Sequence, residues 1–287
     1  MIRPIRKIRV KKRLKMEKQN LNERVLSAHP IAPEVRTRVM QALTEIEQQH
    51  DVKVLFACES GSRGWGFASP DSDYDVRFLY VHRLPWYLRV EAQRDVIELP
   101  ISDELDVSGW ELRKALRLLR RANPVLLEWL DSPVVYRQDA DVIDELRAMV
   151  PHWFSELRGR YHYFAMARRN FREHLQGDTV RLKKYLYVLR PLLAVQWIEQ
   201  GFGQPPMRFA DLVAGVVEDE KLLDEINRLL AIKMRAGEGE YSPRWPRIHA
   251  YIEEALARSE RNVNYKKPEG DCAELDDFLL RTVMLGK

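Results

Sequence analysis

Residues 52–82 read VKVLFACESGSRGWGFASPDSDYDVRFLYVH, and this stretch decides the fold. Val52–Ala57 is a short apolar run rich in β-branched residues, which predicts a strand that leads into a glycine-rich turn. A polar loop follows, and Tyr74–His82 predicts a second strand with an aspartate on each side of Tyr74. We therefore expect the N-terminal part of the chain to fold as a sheet with helices.

The glycine-rich turn is a candidate phosphate cradle. A strand that passes through a Gly/Ser turn into a helix exposes backbone N–H groups, and these can hold phosphate oxygens. Gly61 leaves room for close approach, Ser62 adds a hydroxyl donor, and Arg63 adds positive charge. The alternative for Arg63 is a local ion pair with Glu59 or an aspartate. The turn is not a Walker A loop, because no Gly-Lys-Ser/Thr follows it.

Three carboxylates near this turn predict a metal site. Asp73 and Asp75 are two residues apart, so on a strand both point to one face, where they repel unless a cation lies between them. Oxygen ligands of this kind suit Mg²⁺. Asp106, between Leu105 and Val107, is the best candidate for a third carboxylate, and Glu104 is its rival. Paired carboxylates beside a phosphate cradle are typical of two-metal phosphoryl or nucleotidyl transfer, in which one ion activates the attacking hydroxyl.

The combined pattern resembles the DNA polymerase β-like nucleotidyltransferase superfamily. The residues that carry the resemblance are Gly61, Ser62, Asp73, Asp75 and Asp106. The longer wording of residues 61–77, GSRGWGFASPDSDYDVR, is similar to the predicted nucleotidyltransferases of RNA repair pathways. The resemblance implies transfer of a nucleoside monophosphate from an NTP, with Mg²⁺ or Mn²⁺ as cofactor. It also implies an RNA acceptor, such as a tRNA, and it makes the three aspartates catalytic and metal-binding.

The order of predicted elements gives an α+β protein with two domains. Residues 1–29 are a basic N-terminal arm and lead-in, residues 30–137 the nucleotidyltransferase domain with a mixed sheet, and residues 138–287 an α-helical domain. In the first domain, Ser108 and Glu111 predict a capping box for a helix over residues 109–122. After residue 137 the strand signal fades and long helical patterns dominate.

One predicted helix of the second domain, residues 179–200, carries candidate nucleotide ligands. Lys183, Tyr187 and Arg190 are spaced i, i+4 and i+7, which places them in one stripe, and Lys184 is the alternative to its neighbour. Lysine and arginine offer charge to a triphosphate, and tyrosine offers a ring face to a base or sugar.

Charge and cysteine usage limit the function classes. The net charge is +4, but residues 1–15 contain eight Lys/Arg and no Asp/Glu, so the remaining chain has 39 basic against 43 acidic residues. The arm is an unstructured basic segment, the product of an upstream start codon with Met16 as the ordinary start, or an RNA-binding segment. Two distant cysteines form no disulfide framework and suit the cytoplasm. No apolar run approaches the ~18 residues of a membrane span, so we expect no membrane partner.

Two other functions are compatible with the same residues. In the first, the enzyme transfers the nucleotide to a protein hydroxyl, as in antitoxin-type nucleotidylation, or to a small molecule. In the second, the fold is a non-catalytic RNA-binding module. The sequence leaves open which NTP is used.

Overall fold

The computed structural model describes residues 30–102, 104–235, 240–258, 265 and 267–285. The predicted basic arm lies outside the described residues. The described chain is α+β, and its residues form two compact units. The sheet unit comprises Ile31–Gly64, Asp73–Ser155 and residues 267–285, and the helical unit comprises Trp65–Ser72 and the described residues from 156 to 265.

The sheet unit is built on five strands in the order β3-β4-β2-β1-β5. Its strands are β1 (Val52–Glu59), β2 (Tyr74–His82), β3 (Val96–Glu98), β4 (Leu105–Glu111) and β5 (Val135–Gln138). Strands β2 and β4 are parallel, and the other neighbouring pairs are antiparallel. The two strands predicted from residues 52–82 are therefore neighbours at the centre of a mixed sheet.

Helices cover both faces of this sheet. Those of the sheet unit are α1 (Pro33–His50), α2 (Gly61–Trp65), α3 (Leu84–Tyr87), α4 (Leu112–Arg120), α5 (Pro124–Leu130), α6 (Ala140–Trp153) and α12 (Cys272–Leu285). Val76 and Phe78 of β2 pack with Leu43 of α1 on one face, whereas Leu79 and Val81 pack with the cluster formed by α4, α5, α6 and α12 on the other. This alternation is what the period of two along a strand requires.

Helix α1 has sequence-encoded ends. Pro33 occupies the first helical position, where its missing N–H is not needed. Asp51 ends the helix in the left-handed conformation with φ 49°, and its backbone N–H donates to the carbonyl of Glu47. The short connection that results leads directly into β1.

The helix predicted over residues 109–122 begins later than expected, and the predicted capping box is wrong. Ser108 lies within β4, and Glu111 is itself the N-cap of α4, where its side chain accepts a hydrogen bond from Lys114 N at 3.2 Å. A parallel partner strand keeps residues 105–111 extended, because β4 pairs with β2 over that whole length. Tertiary pairing thus overrides the local capping signal.

The helical unit is organised around one buried helix. Its elements are α7 (Glu156–His174), α8 (Leu182–Glu199), α9 (Phe209–Val216), α10 (Glu220–Arg235) and α11 (Pro246–Ala257), with the short strands β6 (Thr179–Arg181) and β7 (Tyr241–Pro243). Most residues of α8 are buried, so it is the core of this unit. Within the described ranges, every helix is too short or too polar to cross a lipid bilayer.

The compact units combine chain segments that are not consecutive. Helix α12, near the C-terminus, packs on the sheet through Leu275, Phe278 and Val283. The loop Trp65–Ser72, which separates β1 from β2 in sequence, groups with the helical unit. The division into residues 30–137 and 138–287 stays a prediction about domains.

The packing of α1 on the sheet generates a stability prediction. Leu43 is fully buried, so Leu43→Ala should lower the free energy of unfolding by about 3 kcal/mol through lost burial and a cavity. The matched control is Leu88, which lies in the same unit and is 73% exposed. Leu88→Ala should change the free energy of unfolding by less than about 0.5 kcal/mol. Urea titrations of the two variants compare them, and equal losses would contradict the packing described for α1.

Candidate active site

The turn after β1 brings Gly61 against Asp75. Gly61 has φ 55°, and a Cβ atom at this position would lie 1.9 Å from Asp75 Oδ2. The backbone N–H of Ser60 donates to the carbonyl of Asp75 at 2.8 Å, which ties the turn to the first residues of β2. Only glycine combines this backbone conformation with this close approach.

Strand pairing aligns two of the three predicted carboxylates. Asp75 and Asp106 are direct partners in the parallel ladder between β2 and β4. Their side chains are 29% and 34% exposed, so both are open to solvent. The strand register therefore holds two solvent-accessible carboxylates side by side.

Arg77 lies between these carboxylates. Its Nη2 atom donates to Asp75 Oδ1 at 3.0 Å and to Asp106 Oδ2 at 2.7 Å, while Nη1 donates to the carbonyl of Asp106 at 3.0 Å. Because one guanidinium nitrogen donates to both carboxylates, the two aspartates share the positive charge of a single arginine. Arg77 follows Asp75 by two residues along β2, so the two side chains share one face of the sheet.

Glu104, the rival of Asp106, lies elsewhere. It is an exposed residue with φ 66° in the turn before β4, and its carbonyl accepts a hydrogen bond from Tyr74 N at 2.7 Å. The residue therefore shapes the turn through its backbone. Asp106, not Glu104, is the carboxylate that reaches Arg77.

Asp73 is placed differently from the other two aspartates. It is exposed, precedes β2, and its carbonyl accepts a hydrogen bond from Arg63 Nε at 3.2 Å. Across the described residues, no group of three or more His, Cys, Asp or Glu side chains is close enough to hold a metal ion. The predicted three-carboxylate set is present here as the pair Asp75 and Asp106, and the role of Asp73 stays a prediction.

A buried glutamate supports the pair from below. Glu59, fully buried at the end of β1, accepts a hydrogen bond from Asp75 N at 2.7 Å and another from the hydroxyl of Tyr136. Ser132 Oγ donates to the Glu59 carbonyl at 2.6 Å. Burial raises the pKa of the Glu59 carboxyl to about 7. Sequence reasoning missed Tyr136 and Ser132, since they are more than 70 positions from Glu59 and nothing local marks them.

The remaining predicted turn residues are buried. Ser62 and Arg63 are each 7% exposed. The Arg63 guanidinium lies 3.8 Å from the centre of the Tyr74 ring, so its position is set by this aromatic contact together with the bond to Asp73. Phosphate binding by Ser62 and Arg63 stays a prediction.

The predicted residues of α8 lie in the helical unit. Lys184 Nζ is 5.3 Å from the centre of the Tyr187 ring, and Tyr187 meets Trp65 edge-on at 5.5 Å. Arg190 is 3% exposed, donates through Nε and Nη2 to the carbonyl of Met207 at 3.3 and 3.2 Å, and lies 4.7 Å from the Trp65 ring. Lys183 is half-buried. These contacts give Arg190 a packing role within its unit, and nucleotide binding by the four residues stays a prediction.

A buried polar group anchors the loop that precedes the aspartates. Lys233 of α10 is 3% exposed and donates to Ser69 Oγ at 2.5 Å, and Ser69 Oγ lies 3.0 Å from Ser72 Oγ. All three residues belong to the helical unit. The serines that precede Asp73 are therefore held by side chains rather than by regular secondary structure.

The close approach at the turn generates a prediction about Gly61. Gly61→Ala must displace the Asp75 carboxylate and adopt a positive φ, so it should lower the free energy of unfolding by about 2–4 kcal/mol. Gly201→Ala is the matched control, because Gly201 has φ 72° but no described atom within 4 Å of an added Cβ. Its cost should be limited to about 1–2 kcal/mol of backbone strain. Urea titration measures both, and a Gly61 cost no larger than that of Gly201 would refute the close contact.

Comparison with known proteins places these features in a family. A family model described as RlaP, the RNA repair pathway DNA polymerase beta family, matches residues 35–281. The Bacillus subtilis (strain 168) protein named "Uncharacterized protein YcgL" is 46% identical over 251 residues, which cover 87% of this chain and 96% of that protein. A crystal structure of a nucleotidyltransferase-like protein from Exiguobacterium sibiricum matches with 17% identity and a TM-score of 0.28, over 86% of this chain and 76% of that one. The family model spans most of the chain and includes every predicted site residue. The chain belongs to the RNA repair pathway DNA polymerase beta family.

Proposed function

We propose that this protein transfers a nucleoside monophosphate from an NTP to the hydroxyl end of an RNA and releases pyrophosphate, with Mg²⁺ or Mn²⁺. The observation that carries the proposal is the in-register pair Asp75 and Asp106, whose carboxylates converge on a single cationic atom. Family membership supports nucleotidyl transfer, and the family description supports RNA as the acceptor.

The donor set fits a hard divalent cation. Asp75 and Asp106 offer only oxygen atoms, are accessible to solvent, and already share one positive charge. These two residues, together with Asp73, would hold the metal. When bound, the metal would supply charge stabilisation for the triphosphate and for the attacking hydroxyl.

The chain's own residues prepare this site in three ways. Arg77 orients both carboxylates, because its guanidinium donates a hydrogen bond to each of them. Gly61 leaves the space that the Asp75 carboxylate occupies. Glu59 fixes the backbone of Asp75 from the buried side. Asp106 is the carboxylate that would take the proton from the attacking hydroxyl.

Each compact unit contains a set of residues that we propose as phosphate ligands. Gly61, Ser62 and Arg63 form the turn set, and Lys183, Lys184, Tyr187 and Arg190 form the helix set. Charged side chains bind phosphate strongly because hydrogen bonds to an ionised acceptor are roughly twice as strong as neutral ones. Binding through Arg190 would require its hydrogen bonds to the Met207 carbonyl to be exchanged for bonds to phosphate.

Label transfer tests the reaction and the acceptor together. Protein, Mg²⁺ and each of the four α-labelled NTPs are incubated with total RNA, total protein or small metabolites. Label on RNA supports the proposal, whereas label confined to protein or to a small product assigns the enzyme to the alternative acceptors. RNA binding without any labelled product would make the fold a binding module.

A pair of substitutions tests the role of Asp106. Asp106→Asn should reduce label transfer at least about 100-fold, because a lost metal ligand removes several kcal/mol of stabilisation from the transition state. Glu104→Gln changes a neighbouring carboxylate that does not reach Arg77, so its rate should stay within about threefold of the wild type. Initial rates at saturating Mg²⁺ compare the two, and a full rate for Asp106→Asn would refute the proposed mechanism.

Removal of Arg77 tests the cation site without measuring activity. In Arg77→Met the carboxylates of Asp75 and Asp106 lose their shared cation, so Mg²⁺ should bind more tightly and raise the melting temperature more than in the wild type. Arg83→Met is the control, because it removes an exposed arginine that pairs with Asp51. Melting curves with and without Mg²⁺ measure the effect, and equal shifts in all three proteins would contradict a cation site at this pair.

A further inference from the structure

The surface of the helical unit contains a groove that the proposed transfer chemistry does not use. It runs between α7 and the end of α11 and has a volume of about 750 Å³. Its principal lining residues are Arg160, Tyr161, Phe164, Arg168, Arg169 and Arg172. The groove therefore combines basic and aromatic side chains, all of which belong to the same compact unit.

Two of the arginines in this groove are already neutralised. Arg160 is 4% exposed, and its Nε donates to Glu199 Oε1 at 2.9 Å. Arg258, at the end of α11, pairs with Glu254 at 3.1 Å. These two residues build the walls of the groove, and they add little net charge to it.

Three further arginines give the groove its positive charge. Arg168, Arg169 and Arg172 are exposed, and none of them forms an ion pair with another residue in the described part of the chain. Some exposed arginines elsewhere are paired, such as Arg83 with Asp51 and Arg281 with Glu145. Three uncompensated charges within five residues of one helix are therefore a local excess.

An exposed ring completes the groove. Tyr161 is 47% exposed on α7, so close to half of its surface is open to solvent. It lies 11 positions before Arg172, which corresponds to about 16 Å along a helix axis. A strip of this length, with a ring near one end and charges toward the other, is long enough to contact several nucleotides.

We propose that this groove binds single-stranded RNA. Arg168, Arg169 and Arg172 contact the phosphates, and the Tyr161 ring stacks on an unpaired base. A duplex cannot use the ring, because its bases are stacked inside the helix. The inference rests on the proposed function in naming RNA as the acceptor, but the binding step itself requires neither NTP nor metal.

Binding by variants of the complete chain tests the arginines. A fluorescein-labelled oligouridine of about 20 nucleotides is titrated by fluorescence anisotropy without NTP or Mg²⁺. The double variant Arg168→Ala/Arg172→Ala should bind at least about tenfold more weakly, and the slope of log affinity against log salt should fall by about 1.4. The matched control is Arg117→Ala/Arg121→Ala, which removes two exposed arginines that lie outside the groove and form no ion pair with any described residue, and it should stay near the wild type. Equal losses in both double variants would overturn the proposal.

Substitutions of Tyr161 test the stacking. Tyr161→Ala should weaken binding about tenfold through loss of the ring, whereas Tyr161→Phe should bind like the wild type. Equal affinity for a duplex of the same length, or no effect of Tyr161→Ala, would refute the single-strand assignment.

A third variant separates this proposal from the proposed reaction. Asp106→Asn should bind the oligouridine like the wild type although its label transfer is at least about 100-fold slower. If the wild type binds RNA through the arginines but labels only protein, the proposed function fails and the groove assignment stands. If label is transferred to RNA and the arginine variant binds RNA normally, the groove assignment fails and the reaction stands.

Discussion

The parallel pairing of β2 with β4 is the constraint on which the site depends. It sets Asp75 opposite Asp106, and two carboxylates held side by side are stable only with positive charge between them. Arg77, from the same strand as Asp75, provides that charge with one atom. A shift of one residue in this register would turn Asp106 to the opposite face of the sheet. Arg77 would then contact Asp75 but not Asp106.

Buried residues behind Asp75 fix the position of its backbone. Glu59 is buried, and burial raises the pKa of its carboxyl, so the fold keeps a costly group at the end of β1. Its two hydrogen bonds, from Asp75 N and from the Tyr136 hydroxyl, offset part of that cost and fix the backbone of Asp75. Tyr136 comes from β5, so three strands of the sheet contribute to the position of one aspartate.

The helical unit carries basic residues in two different settings. Arg190 on α8 is buried and bonded to a carbonyl, which makes it part of the packing around Trp65. Arg168, Arg169 and Arg172 on α7 are exposed along a groove beside Tyr161. The density of positive charge along the sequence is similar for the two sets, but their burial differs. An exposed arginine can bind a polyanion directly, whereas a buried one must first break its existing contacts.

Local sequence patterns were enough to predict the strands β1 and β2, the turn between them, and the two aspartates beside the first residue of β2, Asp73 and Asp75. Those features follow from local patterns: a β-branched run, a glycine that the turn requires, and a spacing of two along a strand. The same patterns did not determine the start of α4, where pairing with β2 extends β4 through Ser108 and replaces the expected capping box. Nor did they determine the choice of Asp106 over Glu104, the Arg77 bridge, or the support of Glu59 by Tyr136 and Ser132. Each of these depends on contacts between residues far apart in the chain, and only the tertiary structure brings them within hydrogen-bonding distance.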